Sequence, residues 1–341
     1  MFTMRLSADL GIDLGTSNII VYKRGSGIVL EEPTVVAVHA QTKQVLAVGE
    51  SAREMLGRTP GHVLAIRPLR DGVIADYTHT LKMLEFLINR ICGRRRWFKP
   101  RLVIAVPSGA TNVERRAVKQ AAEEAGAGEC YTIEEPMAAA LGAGLPVGEP
   151  GGNMVVDIGG GTTDVAVISM DGIVLGESVR VGGNRFDEAI IRHMRNAHNL
   201  MIGERTAEEI KVKVGSAYPL EQELCLEVRG RDLHAGLPRT VEVTSGEIRE
   251  ALGEPLRAVT ERVCAVLEKT PPELSSDIMG RGIMVTGGGG LLRGIDKLLS
   301  AVTEVPVRVA SNALHCVAFG TARVLENLDY FRKGVLIRTR V

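Results

Sequence analysis

The chain reads as an α/β protein, and three observations predict it. Apolar runs bounded by glycine or proline alternate with helical segments from end to end. The composition is rich in turns, with 39 glycines against 4% aromatic residues. One strand–turn–strand scheme also occurs twice, in "LGIDLGTSNIIVY" (10–22) and "VVDIGGGTTDVAVIS" (155–169).

In order, "THTLKMLEFLINRIC" (78–92) predicts a helix ended by Gly93, and "RLVIAVPSG" (101–109) a buried strand. "TNVERRAVKQAAEEAGAG" (111–128) follows as a helix with a Thr111–Glu114 capping box and a glycine stop. Residues 152–179 predict strand, tight turn, strand, turn, strand, and 186–200 an amphipathic helix. "TAEEIKVKV" (206–214) predicts a helix with a second capping box, Thr206 to Glu209. Gly253 and Pro255 fall inside a predicted helix and should kink it. "RGIMVTGGGGLLRGIDKLLSAV" (281–302) reads as strand, glycine loop, helix.

A length of 341 residues allows two domains, and no linker separates independently folding halves. The 41 basic and 41 acidic side chains cancel, so no global field draws the chain to nucleic acid. Cys92, Cys130, Cys225, Cys264 and Cys316 are scattered, with no CxxC pair and no histidine partner at ligand spacing, which argues against a zinc site or a disulfide framework and for a reducing compartment. No leader-like start and no apolar run of about 20 residues is present, so a cytoplasmic location is expected.

The repeated hairpins carry the chemistry. A tight glycine turn between strands aims several backbone N–H groups into one concavity, where an anion fits. Gly15, Thr16, Ser17 and Asn18 form one such turn; Gly159, Gly160, Gly161 and Thr162, followed by Thr163, form the other. Asp13 and Asp157, 144 residues apart, precede the turns. Carboxylates there repel phosphate but suit a hydrated Mg²⁺, which takes few protein ligands. Neither turn is a Rossmann fingerprint or a Walker A loop. Gly287, Gly288, Gly289 and Gly290 make a third glycine run.

"DLGTSN", "DIGGGTTD" and "TGGGGLL" together resemble the two phosphate motifs and the adenosine motif of the actin-like ATPase superfamily. Within it the chain resembles the MreB family (MreB, Mbl and MreBH), on "GIVLEEPTVVAV" (27–38), "AIRPLRDGVIADY" (65–77), "IEEPMAAALGAGLPV" (133–147), "IGERTAEEIKVKVG" (202–215) and "EKTPPELSSDI" (268–278). The resemblance implies two related domains around a nucleotide cleft, each with a large and a small subdomain. Domain I would span 1–145, with its small subdomain at about 33–65, completed by 313–341; domain II would span 146–312, with its small subdomain at about 182–242. Asp164 stands where many MreB sequences carry glutamate and Mbl-like ones aspartate, so the paralogue stays open.

Carried over, Asp13 and Asp157 would sit near Mg²⁺ and the attacking water, with the two turns on the phosphates of ATP or ADP. Glu208 and Lys211, one helical turn apart, would reach the ribose or adenine with Gly287 to Gly290. Glu135 in "EEP" is the candidate base, with Glu134 pointing elsewhere. The family implies slow ATP hydrolysis coupled to paired homopolymer filaments under the inner face of the cytoplasmic membrane, serving the cell-wall elongation machinery and rod shape. A sugar or carboxylate kinase on the same fold is the enzyme alternative. A chaperone would need a further domain, and a plasmid-segregating filament a DNA adaptor.

"GRRRWFKP" (93–100) holds the only tryptophan. The resemblance implies that, as in MreB-like proteins lacking an N-terminal amphipathic helix, this loop carries a hydrophobic pair that inserts into the membrane, a role that would fall here on Trp97 and Phe98. Arg94, Arg95, Arg96 and Lys99 would face anionic headgroups. Phe2, Met4 and Leu6 offer a second small contact.

Overall fold

The computed structural model describes residues 8–56, 61–93 and 97–332. The first half opens with the hairpin β1 (Asp9–Leu14) and β2 (Asn18–Lys23), then β3 (Gly27–Pro33). A small excursion follows: β4 (Val36–His39), β5 (Val45–Val48), the one-turn α1 (Glu50–Arg53), β6 (Val63–Ile66) and the short pair β7 (Leu69–Arg70) and β8 (Val73–Ile74). The chain returns through α2 (Tyr77–Cys92), β9 (Arg101–Val106), α3 (Asn112–Glu124), β10 (Glu129–Glu134) and α4 (Glu135–Gly142).

The second half repeats the plan with β11 (Asn153–Ile158), β12 (Thr163–Ser169) and β13 (Gly172–Val179). Its excursion comprises α5 (Gly183–His198), β14 (Leu200–Met201), α6 (Glu204–Val214), β15 (Cys225–Asp232), β16 (Pro238–Thr244) and α7 (Ser245–Ala251). Then come α8 (Gly253–Lys269), α9 (Pro272–Arg281), β17 (Ile283–Thr286), α10 (Ile295–Thr303), β18 (Val307–Val309), α11 (Cys316–Glu326) and the short α12 (Leu328–Phe331).

The two large sheets share one topology. The first is ordered β10-β9-β1-β2-β3 and the second β18-β17-β11-β12-β13. In each, three strands run parallel and the last two turn back as an antiparallel meander. The repeat seen in the sequence is therefore a repeat of whole sheets. β9 and β11 are buried at every position, as expected of strands covered on both faces. Arg101 at the start of β9 grips Asp9 of β1 with Nε at 3.1 Å and Nη2 at 2.6 Å, a bidentate pair less than 10% exposed on either side.

Between the sheets, α4 and α11 cross closely. A Cβ on Gly320 would lie 1.8 Å from the Ala138 carbonyl oxygen, so only glycine lets these backbones meet. Met137, Ala138, Ala139 and Leu141 of α4 and Val317, Val324 and Leu325 of α11 share one core with strands of both sheets.

Local expectations mostly hold. The Thr111–Glu114 capping box forms reciprocally, a feature worth about 1 kcal/mol. Gly93 ends α2 with φ 80°. The helical pattern around Gly253 and Pro255 breaks at Leu252, where α7 ends and α8 begins. Pro255 sits in the first turn of α8, where backbone N–H groups lack helical partners anyway. The Thr206–Glu209 box does not form: α6 starts earlier, at Glu204, after Gly203 in extended conformation. The working cap is Thr244, whose Oγ1 accepts from Glu247 N at 3.2 Å.

Candidate functional site

The two hairpin turns face each other across a cleft. Asp13 lies near the end of β1 and Asp157 near the end of β11, each followed by its glycine turn. Thr16 is buried, and its Oγ1 accepts from Gly72 N at 2.9 Å, tying the first turn to the β7–β8 turn. Thr34 holds the same turn from below, donating to the Gly15 carbonyl at 2.7 Å. Ser17 Oγ donates to Asn184 Oδ1 at 3.0 Å and so reaches the first turn of α5. Asn18 opens β2.

The second turn is closed by Gly159 N donating to Thr162 O at 2.8 Å. Its carbonyls accept from the start of α5: Gly183 N to Gly159 O at 3.0 Å and Asn184 N to Gly160 O at 2.8 Å. The glycines are sterically required where the turns meet. A Cβ on Gly160 would stand 2.0 Å from Ser17 Oγ and 2.7 Å from Ser17 Cβ.

Four carboxylates gather at the floor. Asp157 and Asp164 are buried, Glu135 is 8% exposed, and Asp13 is half-buried at the cleft. Burial pushes Asp13 up to about 8, with the Asp157 charge adding to it. Burial also pushes Asp157 up to about 7, against a 2.8 Å hydrogen bond from Thr286 Oγ1. Glu135 is raised well above the usual range by burial, then by Asp164, Asp13 and Asp157. Asp164 is raised by burial, although Ser108 N and Oγ donate to it at 2.9 and 2.8 Å. Among the described residues no lysine or arginine enters these shifts. Four like charges without a cation are a poor arrangement for an apo protein and a suitable one for a divalent ion.

Glu134 turns the other way, to Arg115 at 3.1 Å. Arg115 also donates to Ala110 O and Ser108 O, so it fixes the loop that presents Ser108 to Asp164.

The third glycine run lies against β11. Gly287 N donates to Ala313 O at 2.9 Å, and a Cβ on Gly287 would meet Ile158 O and Asp157 Oδ1. Gly288 precedes a single 3₁₀ turn, Gly289–Leu291, in which Gly289 and Gly290 are buried; α10 opens only at Ile295. Glu208 and Lys211 do not pair with one another. Lys211 Nζ binds Asp187 at 2.9 Å and the Gly183 carbonyl at 3.2 Å, beside the second turn. Glu208 lies 3.7 Å from Arg53, and Glu204 of the same helix 3.0 Å from Arg67. Two ion pairs thus span the mouth of the cleft.

Asn184, Asp187 and Gly72 are contacts that sequence reading misses. The pair Gly182–Gly183 directly before a helix was the available signal for the first two. Gly72 carried none, because its partner Thr16 is 56 residues away.

Of the described residues in 93–100, Gly93, Trp97, Phe98 and Lys99 are exposed and Pro100 is buried. Trp97 is 97% exposed and Phe98 54% exposed. Phe2, Met4, Leu6 and Arg94, Arg95 and Arg96 lie outside the described residues. Among the described residues no helix is long and apolar enough to cross a membrane.

Two sheets of one topology, each presenting an aspartate and a glycine turn to a shared cleft, define the actin-like class. The chain matches the MreB/Mbl protein family model over residues 7–333. It is 54% identical to the cell shape-determining protein MreB of Escherichia coli over 333 residues, 96% of each chain. It is 51% identical to the cell shape-determining protein Mbl of Bacillus cereus over 328 residues, 96% of this chain and 98% of that one. The structure of MreB5 of Spiroplasma citri bound to AMPPNP superposes with a TM-score of 0.92 at 39% identity, covering 96% of this chain and 99% of that one. The chain belongs to the MreB/Mbl family.

Proposed function

We propose that this chain binds ATP with Mg²⁺ in the cleft, hydrolyses it slowly, and polymerises into paired filaments on the inner face of the cytoplasmic membrane that guide wall synthesis and rod shape. The observation that carries the reading is the group of four carboxylates between two glycine turns. Asp13 and Asp157 would hold a hydrated Mg²⁺, largely through water, and the bound ion supplies neutralising charge on the phosphates. The N–H groups and hydroxyls of 15–18 and 159–162 cradle the phosphate oxygens. Glu135, its carboxyl raised by burial and neighbouring acids, orients the attacking water and takes its proton. Gly287 to Gly290 bound the nucleoside side. Lys211 works beside the second turn, where its Asp187 partner holds it, and Glu208 serves at the cleft mouth.

We assign residues 1–145 with 313–341 to one half and 146–312 to the other, with small subdomains at about 33–65 and 182–242; the matching order of the two large sheets supports this division. Support for assembly and nucleotide comes from relatives that are cell shape-determining proteins and from a relative solved with AMPPNP. Trp97 and Phe98, with the basic residues around them, supply the membrane contact, repeated along a filament so that weak contacts add.

The test is negative-stain microscopy and light scattering of the full chain with Mg-ATP, with and without anionic vesicles. Nucleotide-dependent polymers recruited to vesicles are expected. ATP-dependent phosphorylation of a sugar or carboxylate without polymer would instead establish the kinase alternative.

A further inference from the structure

Away from the cleft, three side chains that suit a transition metal converge on one point. His193 and His198 stand on the last turns of α5, and Glu247 on the first turn of α7. At 1.5 Å per residue, His198 lies roughly 22 Å along α5 from the cleft end at Gly183. Both imidazoles reach the same carboxylate oxygen. His193 Nε2 is 2.6 Å from Glu247 Oε1, and His198 Nε2 is hydrogen-bonded to that same atom. The rings are nearly edge to face, with centroids 6.1 Å apart at 69°, so both Nε2 atoms face one point without stacking. One oxygen and two nitrogens of ligand type lie within 4.8 Å of one another.

We propose that His193, His198 and Glu247 bind a single zinc-class divalent cation, with water completing a tetrahedral set. Two imidazoles and a carboxylate select zinc, cobalt or nickel over magnesium or calcium. Tetrahedral ligands at zinc distances stand about 3.3 Å apart, so separations like that between His193 and Glu247 need to open by less than about an ångström. A carboxylate only accepts, so an imidazole that hydrogen-bonds Glu247 through Nε2 does so with its proton on that nitrogen. On binding, each Nε2 lone pair points at the ion and the ring proton sits on Nδ1; a neutral ring only changes tautomer, and a charged ring releases one proton to solvent.

The surroundings leave room, and the nearby arginines are drawn to other carboxylates: Arg239, which donates to the His198 carbonyl at 3.4 Å, is held 3.0 Å from Asp232. All three side chains are 22–23% exposed, so one side is open. Beside them is a cavity of about 390 Å³ lined by Ala189, Arg192, His193, Asn196, Ala197 and Ala251. Of the neighbouring arginines, Arg192 is held 2.9 Å from Glu254 and Arg249 lies 3.6 Å from Glu223. The site uses no cysteine, which is why the cysteine pattern gives no sign of it. Its histidines are five apart on a helix and its carboxylate lies 49 residues further on, a spacing outside the usual zinc signatures.

The experiment uses the full chain stripped with chelator and titrated with Zn²⁺ and Co²⁺ in excess Mg²⁺, read by calorimetry and by the visible absorption of Co²⁺. One equivalent should bind with the intense spectrum of tetrahedral cobalt and a rise in melting temperature. His193→Asn and His198→Asn should each weaken binding by more than the roughly 100-fold that loss of a supporting partner costs. Glu247→Gln, which keeps a hydrogen-bond acceptor and the backbone cap, should weaken it too and serves if a histidine variant fails to fold. Absence of one-to-one uptake, unchanged affinity in these variants, or a sulfur-to-cobalt charge-transfer band pointing to a cysteine such as the exposed Cys225 would overturn the proposal. All variants keep the nucleotide cleft, so Mg-ATP binding is unaffected and the two readings fail separately.

Discussion

Ser17 Oγ lies 3.0 Å from Asn184 Oδ1, so residues 167 positions apart join the two halves at the phosphate turns. Gly160 sits against this contact, with no space for a Cβ beside Ser17. Gly160→Ala should force the turns apart, lower Mg-nucleotide affinity at least tenfold and cost about 1–3 kcal/mol of stability. Fluorescent-nucleotide titration and chemical denaturation measure both. Adding Ser17→Gly, which removes the clashing Oγ and Cβ, should recover much of the stability. An affinity unchanged in Gly160→Ala would mean that the turns do not cooperate in binding.

Glu135 is predicted to set function against stability. It is buried among Asp13, Asp157 and Asp164, which raise its carboxyl further. Glu135→Gln should slow phosphate release at least about 100-fold, as loss of a general base does. It should leave nucleotide binding within a few-fold and raise the stability of the nucleotide-free protein by about 1 kcal/mol. Phosphate-release kinetics and melting in chelator decide it; wild-type turnover in this variant would remove Glu135 from the mechanism.

The hairpins were legible because each is a local pattern: strand, aspartate, glycines and hydroxyls within a few residues. Glu134 and Glu135 were separable for a similar reason, since adjacent side chains diverge, and Arg115 now shows what holds the first of them. What lay hidden is non-local. Thr16 with Gly72, Ser17 with Asn184 and Glu208 with Arg53 are pairings between distant segments that no period encodes. Thr206 misled because a Thr-x-x-Glu spacing also occurs inside a helix. The same spacing at Thr244–Glu247 is the one that starts a helix, yet there the glutamate side chain turns to two histidines.

Glu177 on β13 offers a test in pH. Lys269 and Arg262 of α8 hydrogen-bond its carboxylate and, with Lys269 the larger influence, hold it below its usual 4.5. A depressed carboxyl contributes stability above its unfolded value and loses it as pH falls through the folded one. Because these groups are partly exposed, Glu177→Gln should cost only about 0.5 kcal/mol at neutral pH. The cost should shrink in high salt and fade as pH drops below 4.5. Denaturation curves at both ends of that range check it; an equal cost at each would assign the effect to packing instead of charge.

Trp97 presents the clearest separation between folding and function. An indole 97% exposed contributes almost nothing to a core, and Phe98 beside it is more than half exposed. The loop is anchored at its ends instead, by Gly93 closing α2 and by the Pro100 carbonyl accepting from Gly128 N at 2.8 Å. Trp97→Ala with Phe98→Ala should therefore change stability by no more than about 0.5 kcal/mol and leave nucleotide-dependent polymerisation intact. Sedimentation with anionic vesicles should be lost, because interfacial tryptophan and the neighbouring cations act together at the headgroups. Wild-type protein should also bind neutral vesicles less than anionic ones. Vesicle binding that survives the double substitution would move the membrane contact elsewhere on the chain, and a large drop in melting temperature would show that the pair packs against the fold.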